Sequence, residues 1–343
     1  MTRPALLAIA VLLLLPVPVL AQVLPNLNEI RQRDSIGPGD EGTIRQFVEE
    51  LARKMLTDTS EDRSGMISAR QRLLSEALRP GVSTEAFRQA FARITVDVLK
   101  QNDKKAVSQA ARVNLLMVAA QLGQLNAVPV LRSALENDPY SASRYWAARG
   151  LAMLAPKIVE NVVPRLEAEI AESIQKALKP GVSPLVLEPL FEALGRFDHE
   201  QAHDVLAEGA VFLAQNTDPS DAVVERLWSN VIKSVARAYE HEVRPDAKQR
   251  LLYALAAMGT NLAPTPDGPR LGVELNAALM QLTGKEVGYS PRDSAVLQRL
   301  ALMEWVEQLV RDNRITKRPP LPKAMEEAIQ REVAPGTAPT TGG

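Results

Sequence analysis

Three histidines stand in a chain of 343 residues that has no cysteine, and two of them fall in "HEQAH" at 199–203. On a helix this spacing sets His199 and His203 one turn apart on one face, where two imidazoles can share a zinc ion. Glu200 between them would polarise a zinc-bound water as general base. A centre of that kind needs a third ligand. Gly209 stands where one arrangement would have another histidine, Glu225 is the available downstream carboxylate, and Ser229 occupies the place of a supporting aspartate. Asp198 and Asp204 bracket the motif with charge. Zincin sites also lie against a strand edge, and no run of alternating strand residues occurs in this chain.

The same residues read as the opening of a helix. Asp198 would cap it, Gln201 would take the third position of a capping box, and His199 and His203 would be partly exposed in the first turn. We therefore expect no catalytic residue, no cofactor and no metal. The alternative is a zinc-dependent hydrolase with His199, His203 and Glu225 as ligands and Glu200 as base. His241 has no partner readable from sequence. Other chemistries lack their residues: there is no thiol, no glycine-rich phosphate loop and no serine nucleophile elbow.

What elements would position these groups? Aromatics make up only 4% of the chain while 46% is hydrophobic, which suits closely packed helices. A formal net charge of −1 gives nucleic acid or an anionic membrane no electrostatic hold. Arg3 followed by "ALLAIAVLLLLP", with Val19 and Ala21 before Gln22, predicts a secretory signal over 1–21 cleaved near Ala21. The expectation is an exported, periplasmic or extracellular chain with no membrane span once the signal is cut. Without disulfides, core burial alone must hold it. Residues 22–42, with "SIGPGDEG", read as a flexible linker, 43–333 as one helical domain, and 334–343 as a disordered tail.

Within the helical domain one phrase occurs twice, "ALRPGVS" at 77–83 and "ALKPGVS" at 177–183. Pro80 and Gly81 stop a helix, Ser83 would cap the next, and Val82 would staple onto Phe87. In the second copy Ser183 caps, Pro184 opens the helix, and Val182 would reach Leu187. The phrase is a corner between helices. In "DAVVERLWSNVIKSVARAY" Val224, Leu227, Trp228, Val231, Val235 and Tyr239 form one stripe. A shorter period places Pro129 and Pro164 thirty-five residues apart, and Leu194, Phe197, Ala202 and Leu206 mark a helix end, a turn and a new helix. Periods of that size with two helices per unit mean stacked hairpins.

Three kinds of feature resemble the HEAT-repeat family of α-solenoids: Asp138-Pro139 with Arg144 and Ala147-Ala148, the openings Ala127-Val128-Pro129-x-Leu131 and Val162-Val163-Pro164-x-Leu166, and the endings Leu122-Gly123 and Leu194-Gly195. The match is clear over 103–215 and weaker on both sides. "LTGKEVGYSPRDS" leading to "ALMEWVEQL" looks like a segment near the end of some bacterial exported HEAT-like proteins. The resemblance implies an all-α, armadillo-type fold: an α-solenoid of stacked antiparallel hairpins, about 12–14 helices. It implies a non-enzymatic scaffold that binds an unknown protein or peptide along its repeat surface. The cluster Arg311, Arg314, Lys317, Arg318 and Lys323 around "RPPLP" reads as a solvated link between two helices or, less simply, as a recognition segment.

Overall fold

The computed structural model describes residues 24–219, 221–262, 269–285, 288, 290, 292–293 and 295–320. Among them the fold is all-α, with thirteen α-helices and no strand. In chain order these are α1 (Pro38–Thr57), α2 (Ser64–Leu78), α3 (Glu85–Gln101), α4 (Gln109–Gln121), α5 (Val128–Asn137), α6 (Ser141–Glu160) and α7 (Pro164–Ala177). They continue with α8 (Pro184–Leu194), α9 (Glu200–Asn216), α10 (Ala222–His241), α11 (Pro245–Leu262), α12 (Pro269–Thr283) and α13 (Ala295–Arg311).

The apolar spacing of each segment becomes a buried stripe. On α10, Val224, Leu227, Trp228, Val231 and Val235 are buried and Tyr239 is partly so. The Trp228 indole N–H donates to Thr217 Oγ1 at 2.9 Å, so this large ring is buried without leaving its one polar group unsatisfied. Every substantial helix–helix contact joins elements one or two places apart in the chain, except α1 against α4. Helices α4, α6, α8, α10 and α12 lie side by side in that order, as do α5, α7, α9, α11 and α13. The interior is thus a seam between two layers, filled mainly by Ala, Leu and Val.

The repeated phrase is a corner in both places. It links α2 to α3 and α7 to α8, with Gly81 and Gly181 at φ 83° and 84°, a left-handed turn that glycine adopts without Cβ strain. The two helix starts differ. Ser183 takes the N-cap position of α8 with Pro184 behind it, as expected, but its hydroxyl makes no capping hydrogen bond. In the first copy the cap is Thr84, one residue after Ser83, its hydroxyl accepting from Phe87 N at 3.3 Å. A hydroxyl is available at position 84, whereas Pro184 holds the second copy to the earlier start. Val182 accordingly packs on the core while Val82 remains 47% exposed, so the expected staple is absent in the first copy.

The stretch read from sequence as a linker is part of the folded body. Leu27 and Ile30 are buried, Thr84 N donates to Arg31 O at 2.9 Å, and α1 already opens at Pro38. Pro38 at the first helical position and Asp40, which accepts from Gly37 N, turn "GPGDEG" into a helix start despite its glycines. The expected signal segment and tail lie outside the described residues. No described helix is long and apolar enough to cross a membrane.

One helix end breaks its local rule. Gly123 after α4 and Gly284 after α12 have positive φ, and after α6 the same conformation falls to Val162, with φ 51°. Val163 N reaches back to Ile158 O at 3.2 Å, closing the end of that helix. Val162 is 76% exposed, so no packing offsets the strain of a β-branched residue in this region.

Candidate functional site

The helix that carries "HEQAH" begins one residue later than the motif requires. His199 is the N-cap of α9, with extended backbone, and its Nδ1 accepts from Gln201 N at 3.1 Å. The expected cap, Asp198, instead donates its backbone N–H, together with that of His199, to Glu167 Oε2 on α7, each at 3.0 Å. Glu167 is buried and ties the start of α9 to its neighbour in the layer. His199 and His203 therefore do not project together from one helical face.

His203 is not a partly exposed helix-start residue: it is 2% exposed, and its Nδ1 lies 3.0 Å from Glu242 Oε2. Glu242 follows α10 and is itself 4% exposed. Its other oxygen accepts from the backbone N–H of Val243 and of Arg244, both at 2.9 Å. Arg244 folds back on the same carboxylate, with Nη2 at 2.8 Å from Oε2, and reaches Asp204 Oδ1 at 3.1 Å and Glu200 O at 2.9 Å. Asp204 also takes Arg250 of α11 at 2.7 Å, and Arg250 holds Asp246 at 2.8 Å. Burial by itself pushes the Glu242 carboxyl up. The hydrogen bonds from Arg244 and His203 outweigh that and bring it down to about 2, while Arg244 is raised above its ordinary range by the carboxylates around it. His203 Nε2 is buried with no hydrogen-bond partner.

The other residues of the sequence-derived metal set lie elsewhere. Glu200 points its carboxylate toward Arg244 at 3.7 Å and is largely exposed. Glu225 sits in the first turn of α10, and His241, the last residue of that helix, is 3.8 Å from Asp198. Ser229 donates to Glu274 on α12, so it supports no residue near the histidines. Among the described residues no three of His, Asp or Glu are grouped to hold a metal ion.

Sequence reasoning missed Glu242, Arg244 and Arg250. The signal was present as "EVRP", an acid and a base flanking Val243 at a proline helix start, but the pairing across α9 and α11 needs the fold.

One turn further along the same two helices an open groove of about 520 Å³ runs between α9 and α11. Ala207, Val211 and Tyr253 form its apolar wall, and Glu208, Asp246, Gln249, Arg250, Thr316 and Lys317 stand around it. The last two belong to the strap after α13, held down by buried Ile315 and by Gln249 Nε2, which donates to Asn313 O at 3.3 Å. Burial raises the Tyr253 phenol above its ordinary value. Lys317, from the basic cluster singled out in the sequence, is exposed at the rim of this groove. Comparison with family models, with curated proteins and with solved structures finds no match.

Proposed function

We propose that the chain is a HEAT-like α-solenoid scaffold of an exported compartment, without catalytic activity of its own, that binds a partner protein on its helical-repeat surface. The observation that carries this reading is the order of packing, in which each described helix, α1 against α4 apart, packs on helices one or two places away. Such an array presents long rows of parallel helix faces, the kind of surface repeat proteins use for recognition. Its interior polar clusters are largely engaged with each other: Glu242 with His203 and Arg244, Arg132 with Glu169 and Ser173, and Glu167 with the start of α9. The groove between α9 and α11 is the binding feature that supports the reading best.

The test is capture of proteins from the exported fraction on the immobilised full chain, with Val211→Trp as the groove-filled control. A saturable partner retained by the wild type and lost by the variant is expected. Equimolar bound zinc, lost on His203→Ala and accompanied by hydrolysis, would overturn the reading in favour of the hydrolase.

A further inference from the structure

Polar groups around the groove divide into two sets. Asp246 is paired with Arg250 at 2.8 Å, and Glu208 accepts from Gln175 Nε2 at 2.8 Å through Oε2, leaving Oε1 free. Arg250 is shared between Asp246 and Asp204. Three donors at the groove are not engaged: among the described residues Lys317 forms no ion pair, and neither the Tyr253 nor the Thr316 hydroxyl forms a hydrogen bond. An apolar wall of Ala207, Val211 and the Tyr253 ring thus lies beside one ammonium and two hydroxyls that lack acceptors.

We infer that the groove takes the carboxy-terminal end of a partner's polypeptide, an apolar last side chain followed by a free α-carboxylate. The inference rests on the scaffold reading and names the chemistry of its partner. The carboxylate meets the Lys317 ammonium with help from the Thr316 and Tyr253 hydroxyls, a charge-assisted contact beside an apolar surface. The terminal side chain covers Ala207 and Val211. The peptide N–H groups behind it face the Glu208 carboxylate, whose Oε1 is not used by Gln175. A volume of about 520 Å³ lies within the range of sites that enclose small ligands, and suits one or two residues better than a whole helix.

The probe is a fluorescein-labelled peptide, Gly-Ser-Ala-Leu-Val, with a free carboxylate, compared with its C-terminal amide by fluorescence anisotropy on the full chain. The free acid is expected to bind about ten-fold or more tightly than the amide, the effect of one charge-assisted contact. Lys317→Glu should erase that preference while leaving the amide's weak binding in place. Val211→Trp should abolish both, with a circular dichroism melt showing that the variant still folds. Equal binding of acid and amide, or unchanged binding to the Lys317→Glu chain, overturns the inference. If neither peptide binds while Val211→Trp still removes a captured partner, the scaffold reading stands and the carboxylate inference falls. Competition by dodecanoate, but not by the free-acid peptide, would reassign the groove to a lipid.

Discussion

The pair of helices α9 and α11 carries two regions of opposite character within a few turns. At their N-terminal ends His203, Glu242, Arg244, Asp204 and Arg250 close on one another, leaving little of His203 or Glu242 to solvent. Farther along, Tyr253, Thr316 and Lys317 stand at an open apolar wall, their polar ends without a partner among the described residues. The difference separates two uses of polar groups. Charges that neutralise each other inside a seam hold helices in register, whereas donors left over at a rim are capacity to bind something else.

The largest effect should come from breaking the closed region. Glu242→Ala leaves His203 buried beside no carboxylate and Arg244 with only Asp204 and Glu200, and should cost about 3 kcal/mol in urea unfolding. Next comes its pH dependence. The folded carboxyl titrates at about 2, below the ordinary glutamate value of about 4.3, so the native state binds this proton less readily than the unfolded chain. Its contribution is therefore complete above the unfolded value and lost as pH falls from about 4.3 through about 2. Glu242→Gln, which mimics the protonated group, should be less stable than wild type at neutral pH, with the gap narrowing across that window. A gap independent of pH would mean that the carboxylate charge contributes nothing.

The open region should respond in the reverse sense. Lys317→Glu should leave the urea midpoint within about 0.5 kcal/mol of wild type, as surface changes do, while altering binding. A large loss of stability there would erase the distinction between the two regions. A last substitution calibrates both. Val162→Gly lies in neither region, relieves a left-handed valine, and should raise stability by about 1 kcal/mol.

The helices and corners were legible in the sequence because their causes are local. Apolar spacing on α10, Pro129, Pro164 and Pro184 at helix starts, and the glycines of the repeated phrase act within a few residues. The N-terminal boundary was misread because "SIGPGDEG" has the composition of a linker, and only tertiary contact by Leu27 and Ile30 shows otherwise. The site was least legible. His203 and Glu242 are thirty-nine residues apart. A histidine in the first turn of an amphipathic helix points into the seam or out of it according to where the cap falls, here His199 and not Asp198. Lys317 was visible as part of a basic cluster, but its neighbours Val211 and Tyr253 were not.

Because contacts scarcely reach past the second neighbour, chain order is also spatial order, and among the described residues no distant element clamps the two extremities together. Heat or pulling force should loosen such a molecule as an advancing front, with amide exchange graded from the outer helices inward. A partner seated across α9 and α11 would act as a rivet near one extremity, slowing exchange there first and fading helix by helix with distance.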